Sequence, residues 1–160
     1  MSRRLTSLVL VATAALAAVA IVAPVGAQNS IAVEPVKEVD LERYAGRWYE
    51  IARYPNRFQT RCTGNVAVYY ATRPDGRIDV RNTCDTAKGP IEARGIARKA
   101  SEDGPPSVLE VRFAPAFLSF IPQVWGDYWI LDLAADYSTA VVGTPDHEYL
   151  WFLSRTPQVD

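Results

Sequence analysis

Residues 65–82, NVAVYYATRPDGRIDVRN, predict the fold most directly. The first eight of them alternate between two faces, and one face carries Val66, Val68 and Tyr70. The segment RPDG at 73–76 is a strong turn signal, and Ile78 and Val80 then alternate with charged residues. Two alternating segments joined by a turn predict a β-hairpin.

Similar segments recur along most of the chain. Alternation and turn signals predict further strands at residues 47–54, 91–99, 107–113, 127–133, 139–143 and 149–155. One helical turn is expected at residues 40–44, with Asp40 as its N-cap. Eight short strands with short connections predict a β-sandwich or an up-and-down barrel.

The two cysteines lie at the two ends of the predicted hairpin. Cys62 precedes its first strand and Cys84 follows its second. An even cysteine count in an exported protein indicates one disulfide, and a small offset between the two ends could be absorbed by a bulge. The alternative is a pair of unpaired buried thiols.

The N-terminus resembles an export signal. Arg3 and Arg4 precede an uncharged run rich in Ala, Val and Leu, and small residues end at Ala27. These features predict a secretory signal peptide at 1–27, an N-terminal segment at 28–37 and a barrel domain at 38–160. The protein would be periplasmic, in the cell envelope or secreted. The alternative is an uncleaved membrane anchor, since the run is just long enough to span a bilayer.

Three short motifs resemble those of the lipocalin family. GRWYEIAR at Gly46–Arg53 is similar to the first lipocalin motif, Gly-x-Trp. Asp136 and Tyr137 resemble the second motif, with Ala135 where Thr is common, and Arg155 resembles the third-motif arginine. The likeness covers residues 38–160 and is greatest to bacterial outer-membrane and apolipoprotein-D-like lipocalins. It implies an all-β, eight-stranded antiparallel up-and-down barrel.

The resemblance also implies roles for the motif residues Gly46, Trp48, Asp136, Tyr137 and Arg155. Trp48 would close one end of the barrel, and Arg155 would pack across its ring as a cation–π pair. Both residues would therefore be structural rather than catalytic.

Side-chain alternation then predicts which residues line the barrel. If Trp48 points inward, so do Glu50, Ala52 and Tyr54. The predicted ligand-binding residues are Ala52, Tyr54, Val68, Tyr70, Ala97, Val111, Phe113, Tyr128, Tyr149 and Trp151. Small inward residues favour a cavity, and the alternative is that Trp151 and Tyr70 fill the space.

An apolar, aromatic pocket with a few polar groups suits a fatty acid or a lysophospholipid. The polar groups are tyrosine hydroxyls and Glu50. The net charge of −1 gives no reason to expect nucleic-acid binding, and one histidine with two cysteines is too few for a closed zinc site. We expect a binding protein without a cofactor. The alternatives are a lipocalin-fold enzyme acting on a hydrophobic substrate, and a haem or pigment carrier with a tyrosine or His147 as ligand.

The segment FLSFIP at 117–122 is apolar and lies between two strands. It could be a loop packed on the barrel. It could also touch a membrane transiently through Phe117, Leu118, Phe120 and Ile121. Arg53, Arg57 and Arg61 lie close together in sequence. They could be solvated surface residues, or they could attract an anionic lipid head group toward the mouth of the barrel.

The end of the chain departs from the resemblance. Lipocalins carry a helix after the last strand, whereas this sequence stops at Asp160. The helix is either absent or lost by truncation. Its absence is expected to expose Ile130, Leu150 or Phe152 on the outer wall, with reduced stability or a partner that covers that wall.

Overall fold

The strands close into a barrel in the computed structural model, which describes residues 32–159. Each strand pairs antiparallel with the next, and the eighth returns to the first. The strands are β1 (Gly46–Arg53), β2 (Gly64–Thr72), β3 (Ile78–Thr86), β4 (Gly89–Lys99), β5 (Val108–Arg112), β6 (Gly126–Leu133), β7 (Thr139–Gly143) and β8 (Leu150–Ser154). The predicted eight-stranded up-and-down barrel is confirmed.

Little of the described chain is helical. The helix α1 (Leu41–Tyr44) has Asp40 as its N-cap, and the Asp40 carboxylate accepts from two backbone N–H groups of the first turn. Short 3₁₀ segments occur at Arg57–Gln59, Ala116–Leu118 and Pro122–Val124. Between residues 32 and 159, no helix has the length and apolar character needed to cross a membrane. The predicted signal peptide at 1–27 lies outside the described residues.

The predicted disulfide is confirmed. Cys62 and Cys84 are bonded, 22 residues apart in sequence. The offset between the hairpin ends is absorbed by an irregularity in register between Gly64 and Ala67. Closing a loop of this length stabilises the fold by about 3 kcal/mol on the chain-entropy model.

A bulge in β1 corrects the predicted direction of two side chains. Glu50 pairs with Leu153, but after the bulge Ala52 pairs with Phe152, so the next inward residue is Arg53, opposite Trp151. Ala52 is exposed, and Tyr54 is 51% exposed. Strict alternation from Trp48 was wrong here because a bulge inserts one residue and shifts every later side chain to the other face.

The outer wall is also less apolar than expected. Ile130 is fully buried because it pairs with Val142 on the inner face of the barrel. Phe152 is 43% exposed and Leu150 is half-buried. The expectation that Ile130 would be exposed was therefore wrong, whereas Phe152 does lie on the outer face.

Candidate functional site in the barrel interior

The closed end of the barrel is built around Trp48, which is completely buried. The guanidinium of Arg155 lies 3.9 Å from the Trp48 ring centroid, as the cation–π prediction requires. The indole Nε1 of Trp48 donates to the carbonyl oxygen of Tyr44 at 2.8 Å. This end is therefore a packed plug with its polar atoms bonded.

Arg155 also ties the start of the barrel to its end. Its side-chain nitrogens donate to the carbonyl oxygens of Arg43, Tyr44, Ala45, Arg47 and Tyr137. Desolvation lowers the pKa of the Arg155 guanidinium from its ordinary value. These contacts give Arg155 a structural task at the floor of the site.

The second motif holds α1 against the barrel. Asp136 and Tyr137 lie in the turn between β6 and β7, where the resemblance placed them. The Tyr137 hydroxyl accepts from the backbone N–H of Asp40 at 2.9 Å, and the Arg43 guanidinium lies 4.0 Å from the Tyr137 ring centroid. The turn thereby positions the helix that carries Tyr44.

Three tyrosine hydroxyls meet above the plug. The Tyr128 hydroxyl lies 2.7 Å from the hydroxyl of Tyr44 and 2.7 Å from that of Tyr70. Three hydroxyls carry three protons, and two hydrogen bonds among them use two. One O–H of this tyrosine triad is therefore left to donate to a further acceptor, such as an oxygen of a bound molecule.

Burial favours the neutral form of all three phenols. Desolvation raises the pKa of Tyr44, Tyr70 and Tyr128 above the ordinary value of 10.0. Tyr70 raises the pKa of Tyr44 further, and Tyr44 and Tyr70 both raise the pKa of Tyr128. The hydrogen bond with Tyr128 partly offsets this by lowering the pKa of Tyr44 and Tyr70. The triad is thus a neutral hydrogen-bonding group at neutral pH.

A polar cluster lies on the inner face toward the open end. Glu50, whose side chain is only 6% exposed, accepts from Arg53 at 2.5 Å and from the Gln59 amide at 2.5 Å. The side-chain amide oxygen Oε1 of Gln59 accepts from Asn56 Nδ2 at 2.7 Å and from Trp151 Nε1 at 3.0 Å. The segment after β1 thus crosses toward β8 and is held there by this mouth cluster.

Aromatic rings line the wall beside the mouth cluster. Tyr149 and Trp151 stack with centroids 5.7 Å apart and an interplanar angle of 7°. Phe58 continues the row, with its ring centroid 5.6 Å from that of Tyr149. These rings form a flat apolar surface near the opening.

Register places most of the other predicted lining residues on the inner face. Ala97 pairs with Ile78 on one side and with Val111 on the other, and Leu109 pairs with Tyr128. Val68 and Tyr70 are buried, and Phe113 packs over Gly95 at the rim while remaining 44% exposed. The predicted residues brought to this face are Val68, Tyr70, Ala97, Val111, Phe113, Tyr128, Tyr149 and Trp151.

Solvent reaches the inner face near the opening. Ala93 pairs with Asn82, two positions along from the buried Val80, and so shares its inward face. Ala93 is nevertheless exposed. An inward residue that is open to solvent indicates that side chains do not fill the barrel at this level.

Comparison with known proteins agrees with this geometry. The family model described as a lipocalin-like domain matches residues 39–160. The chain belongs to the lipocalin family. This is a family of proteins that bind small hydrophobic molecules.

Two relatives of this lipocalin illustrate its place in the family. It is 44% identical to temperature-induced lipocalin-1 of Arabidopsis thaliana, covering 80% of this chain and 69% of that protein. It is 37% identical to the outer membrane lipoprotein Blc of Escherichia coli K12, covering 98% of this chain and 82% of that protein. Among solved structures, insecticyanin of the tobacco hornworm shares the fold, with a TM-score of 0.58 and 20% identity over 80% of this chain and 69% of that one.

Several residues of the site in this lipocalin had no clear sequence signal. Tyr44 belongs to a helical turn outside the strand pattern, and Gln59 lies in a connection. The inward direction of Arg53 depends on the bulge. The Asn56-x-x-Gln59 spacing was the one available hint, because Asn56 caps the 3₁₀ segment that places Gln59.

The residues considered for other chemistry lie elsewhere in this lipocalin. His147 is exposed in the turn before β8. Both cysteines are in the disulfide, so neither offers a thiolate. Trp125 packs against the guanidinium groups of Arg98 and Arg112 on the outer face rather than inside the barrel.

Proposed function

We propose that this lipocalin binds a single-chain lipid, a fatty acid or a lysophospholipid, in its barrel and stores or transports it. The observation that carries the proposal is the solvent-exposed inner face at Ala93 on β4, the wall opposite β8, where Trp151 stacks with Tyr149. A narrow apolar channel with a few polar groups suits an acyl chain with a small head. The lining would comprise Val68, Tyr70, Ala97, Val111, Phe113, Tyr128, Tyr149 and Trp151.

The interior offers a polar contact at each end. The tyrosine triad has one free O–H at the closed end. At the open end, Arg53 Nη1 and the Gln59 amide Nε2 already donate to Glu50. A ligand head at the mouth would therefore meet a compensated ion pair rather than a free cation.

Export and membrane contact form part of the same proposal. The predicted signal peptide at 1–27 and a relative named as an outer membrane lipoprotein support an exported protein. Phe117 and Phe120 are 74% and 79% exposed, and together with Leu118 and Ile121 they supply apolar surface for transient contact with a membrane. We propose no catalytic role, since the interior groups are explained by binding.

The test is a titration of the protein with a long-chain fatty acid and with lysophosphatidylcholine, following tryptophan emission. We expect a saturable change at one equivalent, because Trp48 and Trp151 lie on the inner face. Ala93→Phe should weaken binding by obstructing the channel. Ala100→Phe adds the same ring at an exposed position after β4 and is the matched control.

The variants separate the possible outcomes. Equal binding by Ala93→Phe and the wild type would contradict an interior site, and no saturable change from folded protein with either lipid would contradict the proposed ligand class.

A further inference from the structure

Arg112 is a buried arginine without an acidic partner. It lies on the outer face of β5 and is only 7% exposed. Its Nη1 donates to the carbonyl oxygen of Ala114, but its Nε has no hydrogen-bond partner. A buried charged donor without a partner costs free energy, and such groups are rare unless a ligand or function accounts for them.

Three acidic groups on β3, β4 and β5 are already paired with other arginines, whereas Asp127 of the neighbouring β6 lies opposite Glu110 and pairs with no described arginine. Asp79 accepts from Arg73 at 2.9 and 2.5 Å, and Glu92 accepts from Arg94 at 2.6 Å. The third carboxylate, Glu110, accepts from Arg98 at 2.6 Å. Among residues 32–159, no carboxylate lies within ion-pairing distance of the Arg112 guanidinium.

A groove on the outer wall opens beside this arginine. Its volume is about 310 Å³. The charged residues along it are Arg73, Arg94, Arg112 and Asp79, which leaves an excess of positive charge. Ile96, Ala114 and Ala116 supply its apolar part. This volume suits a head group rather than a whole lipid.

The groove is continuous with the exposed loop between β5 and β6 that carries Phe117 and Phe120, which we call the aromatic loop. Ala116 lines the groove, and its neighbour Phe117 is 74% exposed. The loop is anchored to the outer wall through Trp125, whose ring centroid lies 3.9 Å from Arg98 and 5.2 Å from Arg112. An apolar ring beside a cationic groove is the arrangement that favours an anionic membrane surface.

We propose that the groove beside Arg112 binds the phosphate group of an anionic phospholipid when the aromatic loop touches a membrane. The guanidinium of Arg112, which lines the groove and has no ion-pair partner, donates to a phosphate oxygen, and Arg94 adds a second positive charge at the groove edge. The site lies outside the barrel and is separate from the proposed interior lipid. The proposal rests on the membrane contact proposed above, but not on the ligand inside.

The test is co-sedimentation of the protein with phosphatidylcholine vesicles that contain or lack phosphatidylglycerol. We expect binding to the anionic vesicles, weakened about tenfold in Arg112→Gln by loss of a charge-assisted hydrogen bond. Arg94→Gln should weaken binding several-fold. Its side chain is 79% exposed, so this variant should fold even if Arg112→Gln does not.

The control is Arg47→Gln, which removes the same charge from an exposed position at the closed end. It should bind within about twofold of the wild type, since charge far from the bilayer is screened. Equal losses of vesicle affinity in all three variants would indicate that binding depends only on the overall positive charge, and would overturn the proposed groove site. Binding of inorganic phosphate at Arg112 without any binding to vesicles would contradict the proposal that the phosphate group belongs to a membrane phospholipid.

Failure of the groove can be distinguished from failure of the interior proposal. Arg94→Gln should bind fatty acid in the tryptophan titration as the wild type does, because Arg94 faces outward. Loss of vesicle binding with unchanged fatty-acid binding is the expected pattern. Unchanged vesicle binding with weakened fatty-acid binding would overturn the proposed groove site and would indicate that Arg94 affects the interior site instead.

Discussion

Arg155 and Trp48 are in direct contact, with the guanidinium carbon 3.9 Å from the indole centroid. The same guanidinium donates to five backbone carbonyls around the closed end. The pair therefore joins the residue that follows β8 to β1 and to the helix between residues 41 and 44. Arg155 stabilises this contact through the planar arrangement of its five N–H donors and not through its charge alone.

Replacing Arg155 by lysine is expected to lower the free energy of unfolding by about 2 kcal/mol, because lysine keeps the charge but cannot reach five carbonyls. Urea denaturation measures this loss. Arg47→Lys is the control, since Arg47 is exposed and should change stability by less than about 0.5 kcal/mol. Equal effects of the two substitutions would contradict a special role for the Arg155 fork.

Gly46→Ala is expected to destabilise the barrel by about 2 kcal/mol or more. Gly46 has φ +94°, and an added Cβ would lie 3.3 Å from Arg155 Nη1. Gly76→Ala tests the backbone strain alone, since Gly76 has φ +78° but nothing within 4 Å of the added Cβ. Denaturation curves of both variants should show the larger loss for Gly46→Ala. A larger loss for Gly76→Ala would refute the close approach to Arg155.

Stability is expected to fall steeply at alkaline pH. The tyrosine triad has pKa values raised above the ordinary 10.0, so the unfolded chain releases protons that the folded barrel retains. The stabilisation is therefore complete below pH 10 and lost as pH rises toward the folded values. The loss is about 1.4 kcal/mol per tyrosine for each pH unit.

Unfolding measured between about pH 8 and pH 11 should reveal this slope. Tyr128→Phe should reduce the slope above pH 10 because it removes one of the titrating groups. It should also cost about 1–3 kcal/mol at neutral pH, since two buried hydroxyls lose a partner. Identical alkaline slopes in the variant and the wild type would argue against a buried triad.

Glu50→Gln is expected to change ligand preference. Glu50 places a buried carboxylate at the mouth and engages Arg53. Its neutralisation removes repulsion toward a fatty-acid carboxylate and leaves Arg53 without a counter-charge. Fatty-acid affinity should rise about tenfold, whereas lysophosphatidylcholine, which has no net charge, should change little. Titration with both lipids measures the difference.

Glu148→Gln is the matched control for this prediction. Glu148 is exposed in the turn before β8, and solvent and salt screen its charge. The substitution should leave both affinities nearly unchanged. A parallel rise in affinity for both lipids in Glu50→Gln would show that the charge at the mouth does not select the head group.

Local patterns were sufficient to predict the elements of the fold. Period-two alternation identified β2, β3, β4 and β5, spacing and turn signals added the other four strands, and the turn residues at 73–76 separated β2 from β3. The cysteine positions at the hairpin ends predicted the disulfide. The resemblance of Gly46–Arg53 and Arg155 to lipocalin motifs predicted the contact at the closed end.

The mouth of the barrel could not be predicted in the same way. The bulge after Glu50 depends on how β1 pairs with β8, which lies about a hundred residues later, and it turns Arg53 inward in place of Ala52. Gln59 reaches Glu50 and Trp151 because of the path of a connection. Neither effect leaves a periodic signal in the sequence.

The sequence by itself determined the strands, their order and the disulfide, because these follow from side-chain alternation and turn chemistry between neighbours along the chain. Only the tertiary structure decided which side chains meet inside and which remain unpaired. The tyrosine triad joins a helix and two strands, and Arg112 lacks an acidic partner because no carboxylate of the described residues comes within ion-pairing distance of it. Both depend on distances between residues far apart in sequence, which closure of the barrel sets.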